Sequence, residues 1–175
     1  MPAPLIRPAA SADMPAIAAI YAEAVRNGTA TFETDSPDAA KMEARWQSLI
    51  DRGYPYLVAD NGGVLGYAYA GPFHARAAYR HTVEDSVYLD AGARGTGVGT
   101  GLLTTLIAEA EARGFRQMIA AIGDSANAAS IRLHARCGFR PVGTYRDVGW
   151  KLGRWLDVVL MQRQLGPGGS SPPKR

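Results

Sequence analysis

At 175 residues, 47% of them hydrophobic and 20% charged, the chain can bury one proper core and needs no metal or disulfide staple to do so. The single cysteine, Cys137, excludes an internal disulfide, no Cys/His cluster offers a zinc site, and the formal charge of +3 comes from basic residues scattered among acids rather than from a nucleic-acid-binding patch. The apolar runs are too short for a membrane span and Met1-Pro2-Ala3-Pro4 lacks the basic flank and apolar stretch of a leader, so a cytoplasmic protein with no metal, nucleic-acid or membrane partner is expected.

A short strand around Leu5 to Arg7 opens the chain. Ile17, Ile20, Tyr21, Ala24 and Val25 then recur at helical spacing, with Ser11 or Asp13 as N-cap and Asn27-Gly28 as the stop. Ser36-Pro37 predicts the opening of a second helix with Met42, Trp46, Leu49 and Ile50 on its apolar face and Gly53 at its end. Tyr56 to Ala59 and Val64 to Ala70 read as strands of an antiparallel hairpin turned at Asp60-Asn61-Gly62-Gly63. A long strand from about His81 to Leu89 follows, then a helix to Arg113-Gly114 that turns Leu102, Leu103, Leu106, Ile107 and Ala110 inward. The helical crossover makes the next strand, Met118 to Ile122, parallel to the preceding one. A short helix from Ala128 to Arg136 is stopped by Gly138, and strands over Arg140 to Arg146 and Leu156 to Gln164, joined through Gly149 and Gly153, close the sheet. The pattern is α/β (α+β) in one domain, residues 1–165, with a mixed sheet; residues 166–175 carry no apolar anchor and are expected to be disordered.

Between that long strand and the helix after it lies Arg94-Gly95-Thr96-Gly97-Val98-Gly99-Thr100-Gly101. Glycines permit a sharp turn and close approach of a ligand, and the first free N–H groups of the helix, backed by its dipole, favour an anion. A phosphate loop of the Walker kind needs Lys followed by Ser or Thr, which is absent, and the spacing fails the dinucleotide fingerprint because Thr100 and Leu102 stand where its last Gly belongs. What remains, Arg-x-x-Gly-x-Gly, resembles the pyrophosphate-binding signature of the GNAT acyl-CoA N-acetyltransferases. A second cluster, Asn127 to Phe139, puts Asn127, Ser130 and His134 on one helical face and resembles the family's Asn-x-x-Ser-x-x-Leu-Tyr-x-x-x-Gly-Phe signature, with His134 in place of its Tyr.

Further segments, including Thr31-Phe32-Glu33-Thr34, Tyr69-Ala70-Gly71-Pro72-Phe73, Thr82-Val83-Glu84-Asp85-Ser86-Val87-Tyr88 and Gly143-Thr144-Tyr145-Arg146-Asp147-Val148-Gly149, look like the phosphinothricin/methionine sulfoximine N-acetyltransferase branch. The resemblance implies a mostly antiparallel central sheet with helices on both faces, and a splayed parallel strand pair holding acetyl-CoA through Val87, Tyr88, Leu89, Arg94, Gly95, Thr96, Gly97, Val98, Gly99, Thr100, Asn127 and Ser130. It also implies a homodimer and a small amino-acid-like amine as acceptor.

Acetyl transfer needs a neutral nitrogen, whereas an amino-acid ammonium is mostly protonated at neutral pH, so a base must act near the attack. Glu84, on the strand that ends at the phosphate loop, is the candidate. A backbone N–H near Tyr88 or Leu89 is expected to polarise the thioester carbonyl, and His134 either to protonate the leaving thiolate or to position the pantetheine arm. Arg76 offers a planar fork for an acceptor carboxylate, and Phe32 and Tyr79 are candidate walls. Cys137, in the last turn of its helix where the dipole raises a thiol pKa, is expected to pack rather than carry an acetyl group. Acetylation of a peptide or protein N-terminus, and a non-catalytic acetyl-CoA-binding module, are the alternatives.

Overall fold

In the computed structural model, which describes residues 3–173, the chain runs β1 (Leu5–Pro8), α1 (Met14–Asn27), α2 (Ala39–Ile50), β2 (Tyr56–Asp60), β3 (Val64–Pro72), β4 (Thr82–Leu89), α3 (Val98–Ala112), β5 (Gln117–Gly123), α4 (Ala128–Arg136), β6 (Arg140–Lys151) and β7 (Arg154–Gln164). The strands form one sheet in the order β1-β2-β3-β4-β5-β7-β6. Every neighbouring pair is antiparallel except β4 and β5, which the α3 crossover makes parallel as expected.

Period-two alternation divides the core into two layers. Tyr56, Val58 and Tyr67 face Met14, Ile17, Tyr21 and Val25 of α1 and Met42 and Trp46 of α2. Leu57, Ala59, Ala68, Ala70, Val83, Met118 and Ala120 face the other way, under Leu102, Leu103, Leu106, Ile107 and Ala110 of α3. The five inward positions expected of that helix are all buried. Among the described residues no helix is long and apolar enough to cross a membrane.

Two boundaries differ from the sequence expectation, each for a local reason. Ser36-Pro37 does not open α2; Asp38 does, with extended backbone and a carboxylate oxygen that accepts the Lys41 N–H at 2.8 Å. Gly149 does not join the last two strands but lies within β6, opposite Leu156, and the reversal is at Leu152-Gly153, both with positive φ. Residues 166–173, for which composition predicted no order, follow turns along the domain, where Arg116 donates to the carbonyls of Gly168 and Pro172 at 3.1 and 3.2 Å. That anchor is a guanidinium, not an apolar side chain.

Candidate active site

The parallel pairing of β4 with β5 stops at Asp85 opposite Ala120. β4 continues to Leu89 along β3, and β5 continues to Gly123 along β7, so the two strands part. On β4 the even positions bond β3: Thr82 O accepts from Phe73 N, and the Asp90 N–H reaches Leu65 O. Over the regular register of β4 the alternation therefore turns the N–H groups of Val87 and Leu89 into the gap, where no strand receives them. The loop after α1 closes over the same opening. Gly123 admits the Thr29 carbonyl, which would lie 2.2 Å from a Cβ at that position. The buried Lys151 ammonium donates to Thr31 O at 2.7 Å, beside the negative end of α1, and burial lowers its pKa.

Outside the gap runs an open groove of about 600 Å³, lined on one side by Gly95, Gly97, Gly99 and Thr100 and on the other by Asn27, Gly28 and Thr29. Gly97 caps α3 at φ 91° and Gly95 sits at φ 76°, conformations that favour glycine. The first N–H to find an intrahelical acceptor is that of Gly101, on Gly97 O, which leaves those of Val98, Gly99 and Thr100 at the positive end of the helix dipole. Three guanidinium groups line this groove: Arg94, paired with Glu23 of α1 at 2.8 Å, and Arg132 and Arg136 of α4. The exposed Arg94 pair is weak enough to exchange for a phosphate.

The gap itself is a smaller cavity of about 250 Å³, lined by Ala30, Thr31, Tyr69, Glu84, Asp85, Ser86, Val87, Tyr88, Asn127, Ser130 and His134, with Ala120 to Gly123 of β5. Val87, Tyr88, Asn127 and Ser130 line both spaces, so groove and cavity are continuous. Asn127 is the N-cap of α4: its Oδ1 accepts the Ser130 N–H at 3.2 Å, while its amide nitrogen is left for a ligand. Glu84 is half-buried, and desolvation, reinforced by the charge of Asp85, raises its pKa. Across β4 the buried His134 meets Asp85 Oδ2 through Nε2 at 2.9 Å and the Ser130 carbonyl through Nδ1 at 2.8 Å. Burial pulls the His134 pKa down, but the hydrogen bond and charge of Asp85 and the Ser130 carbonyl outweigh it and leave it above the ordinary imidazole value.

Of the residues expected at the cofactor, Val87, Tyr88, Leu89, Arg94, Gly95, Gly97, Gly99, Thr100, Asn127 and Ser130 line the groove. Thr96 turns its hydroxyl onto Ala93 O at 2.7 Å, and Val98 is buried in the core under α3. Phe32 packs behind the cavity, its ring where Cβ atoms on Gly123 and Gly149 would collide with it. Arg76 is exposed on the connection between β3 and β4; Tyr79, also on that connection, is 39% exposed and meets Phe73 and His74 edge-on. Neither of these two lines the cavity. Cys137 is buried at the C-terminus of α4 and lines neither space. Asp85, Arg132, Arg136 and Lys151 were not singled out by sequence reasoning; the helical phase of α4, which places Arg132 and Arg136 one turn apart, was the available signal for those two.

Fold and site together define a protein that seats an elongated, anion-bearing ligand across parted parallel strands, with a carboxylate at the inner end that is unpaired among the described residues. The family profile described as Acetyltransferase (GNAT) domain matches residues 6–160, and the chain belongs to that family. It is 54% identical to a phosphinothricin N-acetyltransferase of Alcaligenes faecalis over 93% of this chain and 83% of that one. It is 47% identical to an L-methionine sulfoximine/L-methionine sulfone acetyltransferase of Pseudomonas paraeruginosa over 95% and 98% of the two chains. A crystal structure of a GNAT superfamily phosphinothricin acetyltransferase from Sinorhizobium meliloti in complex with AcCoA superposes with a TM-score of 0.96 at 46% identity, covering 99% of this chain and 95% of that one.

The raised pKa of Glu84 has a consequence for stability. A carboxyl group whose folded pKa exceeds its unfolded value destabilises the fold once ionised: the penalty is absent below the unfolded pKa and fully present above the folded one. Glu84→Gln is therefore expected to raise the urea midpoint at pH 7.5 relative to the parent, with the gain shrinking toward pH 4. A lower midpoint at pH 7.5 would contradict the assignment of Glu84 as a strained carboxylate.

Proposed function

We propose that the protein transfers the acetyl group of acetyl-CoA directly to the amino group of a small amino acid or analogue, with methionine sulfoximine, methionine sulfone and phosphinothricin as the leading acceptors. The observation that carries this is the placement of Glu84, a desolvated carboxylate without an ion-pair partner among the described residues, in a cavity continuous with the anion-binding groove. The groove fits the cofactor on this chain's own terms. Free N–H groups at the start of α3 and three arginines suit phosphates, and the Asn127 amide and the free β4 edge suit the pantetheine arm. When bound, acetyl-CoA supplies an activated acetyl thioester.

The residues divide the remaining work. Glu84, its basicity raised toward the operating pH, takes the ammonium proton directly or through one water. The strand alternation supports the inward N–H of Leu89 or Val87, rather than that of Tyr88, as the donor to the developing oxyanion; such a donor contributes about 3 kcal/mol to a transition state. His134 meets the departing thiolate from the α4 side. A cavity of about 250 Å³, below the range of drug-sized pockets, favours a free amino acid over a peptide chain. Arg76 and Tyr79, exposed on their loop, are kept as the acceptor's outer contacts, with Phe32 fixing the wall behind Thr31. Acetylation of toxic glutamate-like analogues would make this a detoxifying activity of the cytoplasm, where acetyl-CoA is at hand.

The same reading includes a homodimer. β6 lies at the edge of the sheet and, with β7, exposes Val142, Tyr145, Val148, Trp150, Leu152 and Trp155. An edge strand with an apolar face of this kind calls for a cover, and a second copy is the one we propose. Sedimentation should give a dimer that Trp150→Glu with Trp155→Glu converts to monomer; a monomeric parent would rule it out.

The activity is tested by thiol release from acetyl-CoA with free amino acids and the sulfoximine, sulfone and phosphinic analogues. Glu84→Ala should lower kcat by roughly 10² or more while calorimetry shows acetyl-CoA binding retained. Turnover unchanged in that variant, or no acceptor among these amines, would overturn the proposal.

A further inference from the structure

Asp85 and His134 form the most deeply buried ionisable pair of the site, with side chains 1% and 5% exposed. Both ring nitrogens of His134 face acceptors. Nδ1 lies 2.8 Å from the Ser130 carbonyl, which cannot donate, and 3.4 Å from the Ser130 hydroxyl, which can accept as well as donate; the shorter contact requires a proton on Nδ1. Nε2 lies 2.9 Å from Asp85 Oδ2, and the contact needs one proton between them. Of an acid and an imidazole sharing that proton, the imidazole has the higher intrinsic affinity, so the pair is an imidazolium and a carboxylate. Asp85 Oδ1 is buried without a hydrogen-bond partner, which leaves Oδ2 and His134 as that carboxylate's one charged contact.

The surroundings add nothing that would take the second proton away. Glu84 is the neighbouring charge on β4, but alternation puts it on the opposite face of the strand. On α4 the charged residues are Arg132 and Arg136, which line the groove. β5 brings Ala120 and Ile122 to the cavity, and the segment after α4 brings the Cys137 thiol to the same core and the Phe139 ring, which meets the imidazole edge-on at 5.0 Å. With both nitrogens committed to protein acceptors, the ring presents no free N–H to a leaving group.

We propose that Asp85 is a positioning residue that holds His134 doubly protonated, so that His134 serves the transfer as a fixed positive charge beside the cavity and not as a proton donor. This rests on the acetyl-transfer reading above. The departing thiolate is then stabilised by charge and takes its proton later from solvent; of the two protons the ammonium loses in becoming an amide, Glu84 passes the first to solvent and takes the second as the C–S bond breaks. From the residue pattern His134 is expected to act as acid or as anchor; its hydrogen bonds favour a third part.

The test is nitrogen-15 and proton NMR of the imidazole rings in the intact protein, with His134 assigned by its loss in His134→Gln. Both His134 nitrogens should carry protons at imidazolium shifts from pH 6 to pH 8.5. In Asp85→Asn one of them should deprotonate within that range, and kcat should fall about tenfold or more while the KM for acetyl-CoA stays within about twofold. A singly protonated His134 in the parent at pH 7 would overturn the proposal, and so would an unaltered kcat in a folded Asp85→Asn whose His134 has lost a proton. The parent's spectrum decides even if that variant does not fold. Glu84→Ala should leave the His134 signals in place, so failure of the base assignment is distinguishable from failure of this one.

Discussion

The parting of β4 from β5 beyond Asp85 and Ala120 is the constraint from which the site follows. Two parallel strands that kept pairing would satisfy each other's backbone and leave nothing to offer a ligand. Here each strand keeps its outer neighbour, so the sheet loses little, and the inner edges of Ser86–Leu89 and Ala121–Gly123 face an opening. The loop after α1 occupies that opening from outside. It is held by the Thr31 hydroxyl on Tyr21, 2.8 Å away, by the Lys151 ammonium on the Thr31 carbonyl, and by the missing side chain of Gly123. A buried lysine on carbonyl oxygens is a costly device for an ordinary loop, and its placement at the hairpin of β6 and β7 ties the far edge of the sheet to the wall of the cavity.

Adjacent carboxylates on one strand acquire different chemistry from this arrangement. Period two sends Glu84 toward α1 and α2 and Asp85 toward α3 and α4. Glu84 meets desolvation and no cation, so its proton affinity rises; Asp85 meets an imidazole and becomes half of an ion pair. The environments, not the residue types, separate a carboxyl group of raised proton affinity from one bonded to an imidazole. The Asp85 charge also adds to the shift on Glu84.

Much of this is legible along the chain because it is local. The glycine turn, the amphipathic face of α3, the Asn127 cap and the parallel crossover are written within a few residues of where they act, and the family signatures sharpen them. Asp85 is not legible in this way: its partner is 49 residues away, and on β4 it reads as one more polar position beside Glu84. Lys151 reaches Thr31 across 120 residues for the same reason. Phe32 illustrates the converse. Its place in a matching segment predicted contact with substrate, whereas the absent side chains of Gly123 and Gly149, far apart in sequence, draw the ring behind the cavity.

Amide hydrogen exchange followed residue by residue, with and without saturating acetyl-CoA, tests the opened strand edge and the helix N-terminus together. Exchange is expected to slow on binding at Val87 and Leu89 on β4 and at Val98, Gly99 and Thr100 at the start of α3, while Ser86 and Tyr88, already bonded to β3, change little. Binding that leaves those inward amides exchanging as before would contradict it.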